Sequence, residues 1–261
     1  MQPDTAIVAI INITPDSFSD GGEHFTPQAA LAAINQAIAD GTGVVDIGAE
    51  STRPGAAPLR AEQEWQRLAP VLAALPPGPQ YSLDTYHPEN ASRALQAGVH
   101  WINDVSGFSD PAMVAVVKDS DCKLVVMHSL GVPADKHVTL PAHVDVIEEL
   151  IKFANGRFSQ LHQAGISKGR LIFDPGIGFG KTAVQSQEIL RRASELKMLG
   201  VPLFIGHSRK SFLGMQGSSA QELDHATLQV SRQLVMHGVD YLRVHNVRLH
   251  KQMMQEMRHV A

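Results

Sequence analysis

The sequence predicts an α/β protein of the (β/α)8 TIM-barrel class, one domain over residues 1–261. Three observations carry this expectation. Eight short apolar runs alternate with stretches of helical periodicity. Each run ends on, or closely surrounds, a polar or charged residue. The loops after the runs are long and rich in Gly, Pro and Ser, whereas those after the helices are short. Strands buried on both faces read as continuous apolar runs, and parallel strands need helical crossovers. Eight strand–helix units of this kind suit a closed barrel of about 250 residues, with every polar strand tip on one rim.

The elements follow in order. Ile7–Ile11 ends at Asn12, and Pro27 to Asp40 is a helix with Thr26 as N-cap, Pro27 at its first position and Gly41 just past its end. Val44–Ile47 surrounds Asp46. Glu62–Leu75 repeats Trp65, Leu68, Val71 and Leu72 at helical spacing. Pro76-Pro77-Gly78-Pro79 turns the chain into Tyr81–Leu83, which ends at Asp84. Pro88 opens a helix closed by Gly98. Val99–Ile102 ends at Asn103, followed by the helix Pro111–Lys118. Leu124–Met127 ends at His128 and leads to the helix His143–Ala164. Leu171–Phe173 ends at Asp174 and leads to the helix Val184–Leu199. Leu203–Ile205 leads to His207 and the helix Ser219–His237. Tyr241–Val244 ends at His245, and Val247–Met257 is a helix capped by Asn246.

Bulk properties exclude several classes. Apolar residues make up 44%, enough for a core, and the longest apolar stretches are strand-sized rather than bilayer-sized. The first residues lack the basic start of a signal peptide. Net charge is −4, which argues against a nucleic-acid surface. The single cysteine, Cys122, cannot close an intramolecular disulfide, so the cytoplasm is the expected compartment. Thirteen histidines make no metal-ligand pattern.

Chemistry concentrates on the predicted rim. The loops Asn12–Thr26 and Gly48–Ala61 offer hydroxyls and Arg53, a side chain suited to bidentate contact with phosphate. Asp174–Thr182 fits neither phosphate-loop fingerprint: Pro175 and Lys181 stand where glycines are required. Its glycines instead permit close approach of backbone to a ligand, with Phe179 as a wall. Ser208, Arg209 and Lys210 follow the seventh strand, where barrels often hold anions. Arg243 and His245 flank Val244 and so share one face, a pairing suited to a polyanion. Asp84, Asn103 and Asp174 are strand-tip acceptors that need partners, which a flat N–H-bearing heterocycle such as a pterin or purine would supply. Taken singly, each of these three also reads as a helix cap.

The order of these segments resembles the dihydropteroate synthase family. The matching stretches are Ile11–Gly22, Glu50–Ala56, Ser82–Thr85, Ile102–Asp104, Met127-His128, Asp174–Lys181, Ser208–Ser211 and Arg243–His245, with Thr14-Pro-Asp-Ser-Phe-Ser-Asp-Gly-Gly22 the most specific. The resemblance implies transfer of a dihydropterin from 6-hydroxymethyl-7,8-dihydropterin diphosphate to p-aminobenzoate in folate biosynthesis, with release of pyrophosphate. It implies Mg2+ as cofactor, ligated by Asn12, and a diphosphate site at Thr52, Arg53, Arg243 and His245. It places the pterin at Asp84, Asn103, Asp174 and Lys210, and the p-aminobenzoate wall at Phe18, Pro54, Phe179 and Ser208. Asp84, Lys210 and Arg53 are the expected catalytic residues, and a homodimer the expected assembly. Asn246 stands where the family usually has aspartate, and Ser186 where asparagine is common. A methyltetrahydrofolate-type methyltransferase barrel or a non-catalytic pterin-binding relative are the competing expectations. The first would have no use for the diphosphate residues, and the second would be expected to lose Asn12 or Lys210.

Overall fold

A computed structural model describes residues 5–14, 26–50, 58–135, 137–214 and 217–260. Eight parallel strands form one sheet in the order β6-β5-β4-β3-β2-β1-β8-β7. They are β1 (Ala6–Asn12), β2 (Val44–Gly48), β3 (Gln80–Asp84), β4 (Trp101–Asp104), β5 (Lys123–Met127), β6 (Leu171–Asp174), β7 (Phe204–Ile205) and β8 (Tyr241–Val244). A parallel bridge between Phe173 and Leu203, with the Phe173 amide donating to the Pro202 carbonyl at 2.9 Å, joins β6 to the start of β7 and closes the barrel. The helices are α1 (Pro27–Ala39), α2 (Ala61–Leu72), α3 (Pro88–Gln96), α4 (Pro111–Lys118), α5 (Val146–Gln163), α6 (Ala183–Arg191), α7 (Ala220–Met236) and α8 (Val247–Val260). Among the described residues, no helix is long and apolar enough to cross a membrane.

Local chemistry explains where the helices start. Thr26 accepts from the Ala29 amide at 3.2 Å, Asp110 from Ala112 at 2.8 Å, and Asp145 from Ile147 at 2.8 Å. Thr182 with Gln185, and Ser219 with Glu222, form reciprocal capping boxes. Asn246 Oδ1 accepts from the Leu249 amide at 3.1 Å and caps α8 as the sequence predicts.

Several boundaries differ from expectation: β4 is Trp101–Asp104 rather than Val99–Ile102, α5 starts at Val146 rather than His143, and α8 runs to Val260 rather than Met257. The helix predicted over Val184–Leu199 breaks after Arg191 and continues as a 3-10 segment, Ala193–Leu199. At the break Arg192 leaves helical φ (−106°) and bonds Asp145 at 2.7 Å and Glu195 at 2.7 Å. These tertiary ion pairs are invisible to a local pattern. α2 stops at Leu72 rather than Leu75: Ala73 and Ala74 continue as a turn, with the Ala74 amide donating to the Val71 carbonyl at 3.1 Å, and Pro76 disfavours a helical Leu75.

Strand parity sorts the core. Ile7, Ala9, Val45, Ile47, Leu83, Ile102, Leu124, Val126, Phe173, Leu242 and Val244 face outward into the large apolar layer shared with the helices. The opposite parity fills the barrel itself. Val8, Val44, Trp101, Val125, Ile172 and Phe204 form a separate buried cluster packed by Tyr241. Trp101 and Tyr241 meet edge to face at 5.0 Å, which suits the ring quadrupoles. This apolar plug closes the lower lumen, so polar chemistry can only sit above it.

Candidate active site

Two residues further along most plug strands the same parity delivers a different layer, whereas β1 and β5 keep the apolar Ile10 and Met127 there. Val44 gives way to Asp46, Trp101 to Asn103, Ile172 to Asp174, Phe204 to Gly206 and Tyr241 to Arg243. Ser82 likewise precedes Asp84. Since side chains alternate with period two, all of these converge on the upper lumen.

The centre of this layer is an arginine held by two carboxylates. Arg243 Nε donates to Asp46 Oδ2 at 2.6 Å, and its Nη2 donates to Asp84 Oδ2 at 2.8 Å. Asn103 Nδ2 donates to the same Asp46 oxygen at 3.1 Å. Asp46 has no solvent exposure, whereas the Asp84 side chain retains 20%. Asp46 therefore supports the layer from below, and Asp84 presents a carboxylate edge upward. Burial pushes the Asp84 carboxyl up to about 7; Arg243 opposes this and Asp46 reinforces it. Glycine at 206 leaves room beside both groups: a Cβ there would lie 3.7 Å from the Arg243 side chain and 3.8 Å from Asp174 Oδ2.

Buried acceptors remain unspent. Asn103 Oδ1, Asp46 Oδ1 and the Ser82 hydroxyl have no hydrogen-bond partner among the described residues. Asp174 spends Oδ1 on the Gly176 amide at 2.7 Å. Burial pushes the Asp174 carboxyl up to about 6, against the Gly176 amide, Lys210, Arg243 and Lys181. A leftover buried acceptor costs roughly 1–3 kcal/mol, so this layer is built for donors that the described residues do not provide.

The loop after β6 forms the next wall. Lys181 is buried, with its ammonium 2.8 Å from His128 Nδ1, 2.9 Å from the Phe179 carbonyl and 3.4 Å from the His128 carbonyl. Three acceptors around three N–H bonds tie this loop to the end of β5. Burial pushes Lys181 down to about 7, with Lys210 adding to the effect and Asp174 opposing it. Burial, and then Lys181, hold the His128 imidazole down at about 3. Lys210 Nζ stands 4.3 Å from the centre of the Phe179 ring, a cation–π contact.

Two variants probe this wall. Gly176 sits at φ +66°, and a Cβ there would run into the His128 carbonyl oxygen. Gly176→Ala is expected to cost roughly 3 kcal/mol in denaturant unfolding, from backbone strain plus displacement of β5. For Lys181 the sign follows from its depressed value. Between pH 7 and the ordinary lysine value of 10.5, the unfolded chain binds the extra proton. The stability of the wild type relative to Lys181→Met should therefore rise from about pH 7 to about 9.5. A flat difference in paired urea titrations would show that burial does not lower the Lys181 ammonium from its ordinary range.

On the β7–β8 side, Ser208 Oγ lies 2.9 Å from His245 Nδ1 and accepts from the His245 amide at 3.2 Å. Arg209 forks onto Asp224 at 2.7 and 2.9 Å. Asn12 ends β1 half-buried, at the rim end of that strand. The structure thus gathers Asn12, Asp84, Asn103, Asp174, Phe179, Ser208, Lys210, Arg243 and His245 on one rim. Phe18, Thr52, Arg53 and Pro54 lie outside the described residues.

Three placements refine the sequence reading. Arg243 and His245 were expected to face a polyanion as a pair, yet Arg243 is tied to two carboxylates. Ser208 joins His245 rather than Phe179. His207, expected at a strand tip, has the opposite parity. It is fully buried against α7, with Nε2 2.8 Å from the Ser231 hydroxyl. Lys181 and Asp224 are the contributors that sequence reasoning left out of the site, whereas Asp46 and His128 were expected to shape and support it. Parity alone identifies Asp46, because it sits two residues above Val44 of the plug.

No group of three or more His, Cys, Asp or Glu able to hold a metal occurs among the described residues. The carboxamide oxygen of Asn12 fits a hard dication that brings most of its ligands as phosphate oxygens and water.

Comparison with known proteins places the chain in a family. The family model described as "Pterin binding enzyme" matches residues 8–245. A dihydropteroate synthase type-2 of Escherichia coli is 38% identical over 253 residues, covering 95% of this chain and 93% of that protein. A folate synthesis bifunctional protein of Chlamydia muridarum is 38% identical over 257 residues. There the match covers 94% of this chain but 57% of the relative, so this chain spans little more than half of that protein. Among solved structures, a Xanthomonas albilineans dihydropteroate synthase with 4-aminobenzoic acid superposes with a TM-score of 0.90 at 35% identity. That match covers 98% of this chain and 93% of the other.

Proposed function

The chain belongs to the dihydropteroate synthase family of pterin-binding enzymes, and from that premise we propose that it joins a dihydropterin to p-aminobenzoate. The observation that carries this reading is the convergence of Asp84, Asn103 and Asp174 on one buried layer with unspent acceptor oxygens. A pterin offers a planar edge of N–H donors that would satisfy such oxygens. Lys210 and His245 stand at the rim of this layer, which suits a substrate with a diphosphate tail.

The difficult step is breaking the bond between the pterin methylene and the diphosphate oxygen. The electron pair leaves with the diphosphate, and positive charge grows on the methylene and ring. Asp84, held by Arg243, places a carboxylate beside that charge and costs no reorganisation when the charge appears. Asp174 and Asn103 fix the ring plane, and Lys210 and His245 receive the growing negative charge of the leaving group. Asn12 would hold Mg2+, which when bound neutralises diphosphate charge. The arylamine nitrogen then forms the new C–N bond and loses one proton to water. Since the amine is already neutral at about pH 7, no general base has to be built. Thr52, Arg53, Phe18 and Pro54 are proposed to complete the diphosphate and amine sites, on the family resemblance alone.

The test is product formation. Incubation with the pterin diphosphate, p-aminobenzoate and Mg2+ is expected to yield dihydropteroate by mass spectrometry, and to yield none when either substrate or the metal is omitted. A chain that binds the pterin but yields no product would be a binding module instead.

A further inference from the structure

Asp224, on α7, does not line the acceptor layer, yet three separate contacts converge on its carboxylate. Arg209 Nε and Nη2 reach Oδ1 and Oδ2 at 2.7 and 2.9 Å, a fork-to-fork pair. Asn246 Nδ2 donates to Oδ2 at 3.0 Å. Burial works to raise the Asp224 carboxyl, yet Arg209, Asn246 and the charge of His245 together hold it below its ordinary value.

What these contacts hold is unusual. Arg209 is one of two non-glycine residues with positive φ among the described residues, at +55°. Side chains avoid that region unless their surroundings fix them there. The Arg209 amide also donates to Thr227 Oγ1 at 3.1 Å, a second anchor from α7. The residues on either side are Ser208, which bonds His245, and Lys210, which covers Phe179. A left-handed residue between them sends these two side chains to opposite parts of the site. Asn246 couples the other end: its Oδ1 caps α8 immediately after His245 while its Nδ2 holds Asp224.

We propose that Asp224 is a positioning residue of the reaction, which through Arg209 sets the Ser208–Lys210 turn and through Asn246 sets the strand end bearing His245. This rests on the reading of the rim as a pterin diphosphate site. The cluster also requires an amide at position 246. A carboxylate there could still cap α8, but it would face Asp224 across a 3.0 Å contact.

The test combines Asp224→Asn, Asn246→Asp and the double variant. Each single variant is expected to lose at least about tenfold in kcat/KM for the pterin diphosphate, with the KM for p-aminobenzoate within about twofold of wild type. In the double variant the amide and the carboxylate exchange places. Their hydrogen bond can then form in the reverse sense, so activity is expected to recover above that of Asn246→Asp alone. Amide hydrogen exchange over Ser208–Ser211 reads the turn independently of turnover, and Asp224→Asn is expected to accelerate it. Unchanged exchange with wild-type kinetics in both single variants would overturn the proposal. So would additive losses in the double variant. Failure of the underlying reading would appear differently, as a wild-type chain that forms no product.

Discussion

Asp84→Asn is expected to lower kcat by roughly two to three orders of magnitude while leaving pterin binding within roughly tenfold, the scale of removing one preorganised electrostatic group. Asparagine keeps the shape and one acceptor but removes the charge that faces the developing cation. The pH profile supplies a second signature. The Asp84 carboxyl is raised to about 7, first by burial. Wild-type kcat/KM should therefore fall as pH drops below about 7, and that limb should disappear in the variant. The stability sign is opposite to that of a salt-bridged surface aspartate. From its ordinary value of 3.8 up to about 7, the folded protein binds the extra proton, so this group's contribution to stability declines as pH rises. Asp84→Asn is thus expected to unfold at no lower a temperature than wild type at about pH 8, with Arg243 still held by Asp46. A variant that lost its activity only by unfolding would contradict the assignment.

The second large effect belongs to Arg243→Ala, and here stability and activity should fall together. Asp46 is fully buried, and Arg243 and Asn103 are its hydrogen-bond partners. Removing the guanidinium leaves two carboxylates facing each other with no counterion. Breaking a buried pair in this way costs roughly 3–5 kcal/mol. Turnover is expected to drop about a thousandfold, because Asp84 loses its orientation and becomes harder to ionise. Arg243→Lys should recover part of the stability but little activity, since one ammonium cannot fork between Asp46 and Asp84. Urea titration and steady-state rates on the same samples separate the two contributions. Near-native stability of Arg243→Ala would contradict the role given to this guanidinium as the counterion of the layer.

Much of this architecture is legible in the chain. The apolar runs mark all eight strands, and Thr26, Pro27, Asn246 and the prolines at 88 and 111 mark helix starts through local hydrogen bonding and fixed backbone angles alone. Asp84, Asn103 and Asp174 stand out because a polar residue at the tip of a buried strand needs a partner. What stays hidden is long-range pairing. Asp46 lies inside an apolar run and reads as a support of the site, but its partner Arg243 is 197 positions away and cannot be named from the sequence. Parity rescues Asp46 once the plug is known, and it also removes His207 from the rim. Lys181 is hidden for a different reason. In sequence it ends a glycine loop, and only the fold against β5 buries its ammonium. The break after Arg191 likewise depends on Asp145, from a different helix cap.

At the centre of the proposed reaction, Asp84, Asn103 and Asp174 hold a pterin ring while Lys210 and His245 face the charge of its diphosphate. The most direct test of that arrangement is pyrophosphate release by the wild-type chain, with pterin diphosphate and Mg2+, in the presence and absence of p-aminobenzoate. The predicted result is one pyrophosphate per dihydropteroate, with no sustained release when the amine is withheld. Tight pterin binding with no release under either condition would contradict it.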